Sequence, residues 1–478
     1  MYEQDSQPSF TKSDFVRKFF FCFPPLSSPM AFRETSDSAQ TIGSDRTLDL
    51  ESGTIHELDK SAPGMWQFPT IPDICCIYRV PYSMRQLDPE SYIPQFVIIG
   101  PLHHSLKSQA LKCLGDITNT KSIGYLNMEE HKKIYLEKFS QRVGGKKAID
   151  GFRRIIEEDE EMIRASYSES TTWIPSQEFV DMILHDSVFI LEFILRISEQ
   201  GTTKRGDPLI DQHTLSITVR NDLLLLENQL PYFILEKLFD PVVPILRPNE
   251  TFRELVINDL FGFDTKVGNN SKFRHFTDLN RCVYVETLPE HGKGSFPEME
   301  YVHNADKLDR GGIKFKAVEE DLLLDVRFVN GCLKIPCLYI HADTEKILRN
   351  VMALEQCHYP DEVHVSNYFV FLASLIDTDQ DVDLFVEKGI IKNWIGQHRL
   401  VADVVNRLSL GVTIEDSYYS NIVNEVNAYY SSPVNSSLAI LKRVYFGNMW
   451  TGTATVAATL LLLMTLIQTV ASVIQAMQ

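Results

Sequence analysis

The chain has 478 residues, 44% of them hydrophobic and 23% charged, a balance that buries a core and leaves room for two or three ordinary domains or one large domain with appendages. Asp and Glu outnumber Lys and Arg by 64 to 46, a net charge of −18, and no basic block is long enough to track a phosphate backbone, which argues against nucleic acid as a partner. The eight cysteines form no CxxC pair and no Cys/His spacing that completes a tetrahedral zinc site, so they are read as reduced thiols, with no metal and no cofactor.

Residues 1–64 include SSPMAFRETSDSAQTIGSDRTLDLESG, rich in Ser, Thr, Asp and Gly and without helical or strand period. Burial cannot offset the ordering entropy of such a segment, and a disordered extension is expected. Inside it VRKFFFCFPPL begins like a signal peptide, but the apolar run ends at Phe23 before Pro24 and Pro25, short of an h-region. Residues 65–440 are the expected globular domain. Helical length and period recur around 128–142, 177–198, 214–239, 344–357, 362–376 and 397–408. One β region interrupts them: GIKFKAV alternates Ile313, Phe315 and Ala317 against lysines, and LDVRFV and CLKIPCLYI flank Asn330-Gly331, a hairpin signal because both residues accept positive φ. The expected fold class is mainly α (α+β), a helical globular domain with a small antiparallel β-sheet and one C-terminal transmembrane helix.

After Lys442 and Arg443 no charged residue follows, and Thr451 to Ile474 is almost wholly apolar. As a helix those 24 residues measure about 36 Å, enough for a hydrocarbon core of roughly 30 Å. The span is placed at 449–476, with Tyr445, Phe446 and Trp450 in the interfacial aromatic belt. Basic residues precede the span and none follows, so the positive-inside rule puts the large domain in the cytoplasm, a tail-anchored arrangement on the plasma membrane or an endomembrane. Sequons at Asn249, Asn269 and Asn435 would matter only for a lumenal or extracellular domain. Thr451, Thr455 and Thr459, and separately Ala454 and Ala458, are small residues four apart, which either let two such helices pair laterally or fill a lipid-facing turn. Gln468 either bonds to a partner helix or reaches its own backbone or the interface.

Motifs that carry chemistry are missing: no GxxxxGK[ST], no GxGxxG, no HExxH and no GxSxG. DTDQDVD at 377–383 starts like a calcium loop but has Val382 where the loop needs Gly and Lys388 where it needs a bidentate Glu, so it is read as a helix break with Asp as N-cap. EEDEE at 157–161 is read as a solvated helix face, and His103 and His104 as neighbours pointing to separate hydrogen bonds. In EFVDMILHDSVFILEFILRI, the residues Glu178, Asp181, His185, Glu192 and Arg196 share a narrow helical stripe while Asp186 stands apart among apolar residues. Asp186 is then a hydrogen-bonded structural carboxylate or a functional one with a raised pKa, and the lack of a nucleophile or metal partner favours the structural role. RNDLLLLENQLPYF raises the same question, since seven residues are close to two helical turns and align Arg220 with Glu227, Asn221 with Asn228 and Asp222 with Gln229. It is read as a buried helix whose polar groups meet complementary ones elsewhere, Leu354-Glu355-Gln356 being one such partner. Pro231 starts a new helix at an angle. The expected structural polar network is Asp186, Asp222, Glu227, Asn228, Gln229 and Glu355, the membrane flank is Lys442, Arg443 and Trp450, and no catalytic residue is assigned.

IYRVPYSMRQLDPESYIPQFVIIGPLHH, DMILHDSVFILE, NDLLLLENQLPYFILEKLF, GIKF, LRNVMALEQC, DVDLFVEKGII and LKRVYFGNMWTGTATVAATLLLLMTLIQT occur in this order, and from about Cys75 to near the C-terminus the chain resembles the plant domain of unknown function 247 family. It departs in its long N-terminal extension, in HDSVFI, where a Gly or Cys is usual near Asp186, and in Gly100-Pro101-Leu102-His103-His104-Ser105, where GPYHHG is usual. The resemblance implies a mostly helical plant domain with a C-terminal membrane helix and no established enzymatic activity, some members lying at grass self-incompatibility loci as proposed pollen-side recognition determinants. The expected function is a membrane-anchored protein, not an enzyme, acting in protein–protein recognition or signalling through surface loops such as 269–298. The alternative is a membrane-bound hydrolase or transferase using Asp186, Glu227 or a histidine.

Overall fold

The computed structural model describes residues 62–67, 72–113, 118–199, 206–263, 267–268, 271–286, 288, 297–318, 323–446 and 449–477. Expectations for residues 1–61, among them the disordered extension, the signal-like run and Cys22, lie outside the described residues. The chain groups into two compact units, the first running to Val80 and including Tyr92–Asp264 and Lys272–Leu279, the second including Pro81–Ser91, Thr265–Ser271 and Asn280–Gln478.

The first unit is helical: α1 (His104–Lys112), α2 (Thr120–Arg142), α3 (Lys146–Glu158), α4 (Ser176–Ser198), α5 (His213–Asp222) and α6 (Tyr232–Phe239). α4 is its axis. Every residue from Asp186 to Leu195 is buried, the mark of a helix apolar on all sides with neighbours all round. α2 and α3 pack against it, as does a π-helix at Leu255–Phe261. Phe239 meets Phe139 and Phe152 edge-on, with interplanar angles of 82° and 87°. α2 begins at Thr120, eight residues before the expected 128, because Asn119 caps it by accepting the Ser122 N–H at 3.1 Å. The expected single helix over 214–239 is two, α5 and α6, with residues 223–231 outside any helix.

α7 (Phe276–Val285) follows, with Phe276, Leu279 and Cys282 buried, so the middle of the segment expected as a surface loop at 269–298 is a packed helix. The second unit holds a three-stranded sheet of β1 (Lys314–Val318), β2 (Arg327–Val329) and β3 (Cys332–Pro336) in the order β1-β3-β2. β2 and β3 are the hairpin expected from Asn330-Gly331, whose φ values of 53° and 73° are those of the two-residue turn. β1 joins β3 in parallel, so the sheet is mixed rather than purely antiparallel. Alternation along GIKFKAV fixes which face is buried and leaves strand direction open. A second, parallel pair joins β4 (Leu338–Ile340) to β5 (Ile391–Asn393).

The same unit holds α8 (Thr344–His358), α9 (His364–Leu375), α10 (Asp379–Glu387), α11 (His398–Leu408) and α12 (Ser420–Tyr430), with α10 against β5 and α12 against β2. The break before α10 comes where expected, but the N-cap is Thr378 rather than an aspartate. Asp381, fully buried, bonds back to the Asp377 and Thr378 N–H groups at 3.1 and 2.9 Å and also accepts from the Asp306 N–H. The chain ends in α13 (Pro433–Phe446) and α14 (Met449–Met477). α14 is the one helix among the described residues long and apolar enough to cross a membrane, and none of its apolar window is buried. Its Thr453, Thr459, Thr465 and Thr469 hydroxyls each donate to the carbonyl four residues back, which satisfies them without water.

Candidate functional site

Residues 94–102 of the first unit form a stretch that is neither helix nor strand and is buried except at Gln95 and Phe96, with Val97, Ile98 and Ile99 at most 1% exposed. Buried irregular backbone needs a partner for every N–H and C=O. Side chains distant in sequence supply them. Asp222, at the end of α5, accepts the N–H groups of Gln95, Phe96 and Val97 at 2.7–3.0 Å. Asn228 accepts the Ile99 N–H at 2.7 Å and donates to the Val97 carbonyl at 3.0 Å. Asp186 accepts the Gly100 N–H at 2.8 Å, Lys132 donates to the Ile98 carbonyl at 2.5 Å, and the Tyr125 hydroxyl donates to the Pro94 carbonyl.

The same residues explain why 223–231 leaves the helix. Asn228 donates to the Asp222 carbonyl at 2.9 Å, and Gln229 to the Leu223 and Leu225 carbonyls at 2.6 and 2.7 Å. Side-chain amides thereby replace the N–H donors that a continuing helix would have offered those carbonyls. Gln229 Oε1 also accepts the Phe276 N–H at 2.9 Å. The two-turn alignment of Asp222 with Gln229 therefore does not exist, and the leucines between are buried as an irregular segment. Gly100 is the tightest point. Its φ of +69° is left-handed, and a Cβ there would sit 2.5 Å from the Gln229 carbonyl oxygen.

Two ionic clusters flank this stretch. Lys132 on α2, 1% exposed, holds Nζ 2.6 Å from Asp186 and 2.7 Å from Glu129. Burial acts to strip its proton, but Asp186 and then Glu129 outweigh that and raise its pKa. Burial likewise works against the Glu129 charge, yet Lys132 and Lys107 hold its pKa down to about 2. In the second cluster Arg79 grips Glu169 through Nε and Nη2 at 2.8 and 2.5 Å, and reaches Glu227 at 2.9 Å through Nη1. Glu227 also accepts the Val80 N–H at 2.7 Å, and His103 Nε2 lies 3.4 Å from it. His104 turns instead to Glu178 at 2.9 Å. The α4 stripe is divided similarly: Asp181 pairs with Arg153 and Glu192 with Arg196 and Arg142. EEDEE is not one solvated face, since Asp159 is buried and paired with Lys237 at 2.6 Å.

Five of the six expected network residues, Asp186, Asp222, Glu227, Asn228 and Gln229, belong to this one arrangement. Glu355 does not. It lies in the second unit, fully buried, accepting the Val365 and Ser366 N–H groups at 3.0 and 2.8 Å and facing Arg281 at 3.3 Å. It thus satisfies the first turn of α9, and burial raises its pKa against the opposing pull of Arg281 and these bonds. Gln356, next to it, bonds to Thr413 of the same unit. Sequence reasoning missed Arg79, Lys132 and Glu169. The signals available were Arg79 within IYRVPYSM, a charge among apolar residues, and Lys132, which shares a helical face with buried Met128 and Tyr135.

Among the described residues no group of three or more His, Cys, Asp or Glu side chains is placed to hold a metal. A surface hollow of about 440 Å³ is lined by Phe152, Ile155, Val242, Ile245 and Leu246, and none of Asp186, Glu227 or His103 reaches it. With their oxygens turned to backbone N–H groups and to cations, the network carboxylates fix a conformation of 94–102 and of the loop 223–231.

Residues 77–464 match the family model described as a plant protein of unknown function, DUF247. The UPF0481 protein At3g47200 of Arabidopsis thaliana is 26% identical over 432 residues, covering 84% of this chain and 86% of the relative. The putative UPF0481 protein At3g02645, also of Arabidopsis thaliana, is 25% identical over 170 residues, covering 35% of this chain and 32% of the relative. No solved structure matches the chain. With some four-fifths of its length inside the matched region, the chain belongs to the DUF247 family of plant proteins.

Proposed function

We propose that the protein is a membrane-tethered recognition protein that binds a protein partner rather than catalysing a reaction. The observation that carries this reading is α14, a 29-residue apolar helix left wholly unburied at the end of a folded, acidic chain. An unburied helix of that length and composition is stable in lipid and a liability in water. Lys442 and Arg443 on its N-terminal side support, by the positive-inside rule, a cytoplasmic side for the folded units, and Trp450, 85% exposed, suits the interfacial belt. The polar network supports binding rather than chemistry because its carboxylates are engaged by backbone and cations. Pollen-side self-incompatibility recognition is one function of this class, and no residue of the network singles it out.

The alternative, a membrane-bound hydrolase or transferase, would use the place where the network approaches solvent, Arg79 with His103 and Glu227. Proximity labelling from the N-terminus of the anchored protein tests the main reading. Enrichment of cytoplasmic proteins over a version ending at Phe446 is expected. Labelling confined to lumenal or wall proteins would overturn the orientation, and the same labelling pattern from both versions would overturn tethered recognition.

A further inference from the structure

The helix before the span, α13, carries an apolar stripe that the described residues leave about half exposed or more. Val434, Leu438, Leu441 and Tyr445 recur at intervals of four, three and four, which aligns them on one face of the helix. They are 66%, 58%, 49% and 49% exposed. The only charges on α13 are Lys442 and Arg443, both basic in a chain of net charge −18.

The position of α13 says what covers that stripe. Two residues separate it from α14, a reach of at most about 11 Å from Phe446 to Met449. The Thr455 hydroxyl lies 2.9 Å from the Tyr445 carbonyl and 2.7 Å from that of Thr451. Ten residues of unbroken helix would set Tyr445 and Thr455 about 15 Å apart, so α13 and α14 are not collinear. The last turn of α13 instead lies beside the first two turns of the apolar helix, with the Phe446 ring next to Gly452. A carbonyl at a helix C-terminus lacks an intrahelical donor, and supplying one from a threonine matters most where water is scarce.

We propose that α13 is an interfacial helix, lying in the headgroup layer of an anionic leaflet with the Val434–Leu438–Leu441–Tyr445 stripe toward the acyl chains, its basic composition suited to lipid phosphates. The inference rests on the membrane-tethered reading and adds a second, in-plane contact to it. The occupant is lipid because the stripe is continuous with a helix that itself fits a bilayer and its charge sign suits anionic headgroups.

The test places nitroxide labels at Leu438→Cys, Leu441→Cys and, inside the span, Thr459→Cys. The full-length protein is studied in vesicles of phosphatidylcholine with phosphatidylserine, with the labelled parent protein subtracted. Collision rates with oxygen and with a water-soluble nickel chelate are compared. Positions 438 and 441 are expected to favour oxygen over nickel severalfold, at a shallower depth than 459, and to become shallower when phosphatidylserine is omitted. Strong nickel collisions at 438 and 441 with 459 still in lipid would overturn the interfacial helix and leave the anchor standing. Low collision rates with both reagents would show protein, such as a second copy of α13, on the stripe and would equally overturn it. Nickel access at 459 would instead overturn the tethered reading itself.

Discussion

Replacing Lys132 by Met tests whether the buried ion pair beneath residues 94–102 behaves as its geometry requires. Lys132 Nζ and Asp186 Oδ1 are 2.6 Å apart with both side chains about 1% exposed. At an effective dielectric near 20 that separation corresponds to about 6 kcal/mol of attraction. Desolvating the two ions costs several kcal/mol each, so the intact pair contributes little net stability while a broken one leaves a bare buried carboxylate. Lys132→Met fills a similar volume and also removes the donor to Ile98. The expected loss is ~3–5 kcal/mol, a large part of the ~5–15 kcal/mol a folded domain has. Adding Asp186→Leu removes the stranded charge at the cost of the Gly100 N–H partner, so the double variant should be more stable than the sum of the singles by ~2 kcal/mol or more. The measurement is urea unfolding of the full-length protein in detergent micelles, followed by tryptophan fluorescence and circular dichroism. A Lys132→Met loss below ~1 kcal/mol, or singles that add to within ~0.5 kcal/mol, would refute the reasoning.

Asp222→Asn should speed hydrogen exchange across residues 92–102, because the amide nitrogen of Asn turns a donor toward N–H groups that need an acceptor; unchanged protection there sinks the role given to Asp222. Gly100→Ala places a Cβ 2.5 Å from the Gln229 carbonyl in a left-handed conformation, and a loss of ~3 kcal/mol or more is expected. Unfolding midpoints within ~0.5 kcal/mol of the parent would contradict that close approach. Glu129 has its folded pKa held at about 2, below an unfolded value of roughly 4.3. Its contribution is therefore present above the unfolded value and lost as pH falls toward the folded one. The gap in urea midpoint between the parent and Glu129→Gln should close over that window, and a gap that stays constant would show that Glu129 is not stabilised by Lys132 and Lys107.

Periodicity made α4, α8, α9, α11 and the terminal apolar helix legible, since each has a continuous apolar face or surface whose burial decides the conformation. It failed at 223–231, where four leucines favour helix by propensity but Asn228 and Gln229 take the carbonyls that helix continuation would use. It also left open the direction of β1, because alternation encodes a face and not a neighbour. Asp186, Asp222, Glu227, Asn228 and Gln229 could be singled out as polar groups in apolar surroundings that need partners. The partners could not, because those of Asp186, Asp222 and Glu227 lie 54 to 148 residues away in sequence and several are backbone groups without a side-chain signature. Glu355 shows the limit most plainly: its burial was readable, but its acceptor role toward the start of α9 depends on a turn that brings Val365 and Ser366 back over it.

Alkaline carbonate extraction of membranes from cells expressing the protein bears most directly on tethering. The full-length chain should stay in the pellet while a version ending at Phe446 is released. Full-length protein recovered in the carbonate supernatant would mean that Met449–Met477 finds its cover in protein and not in lipid.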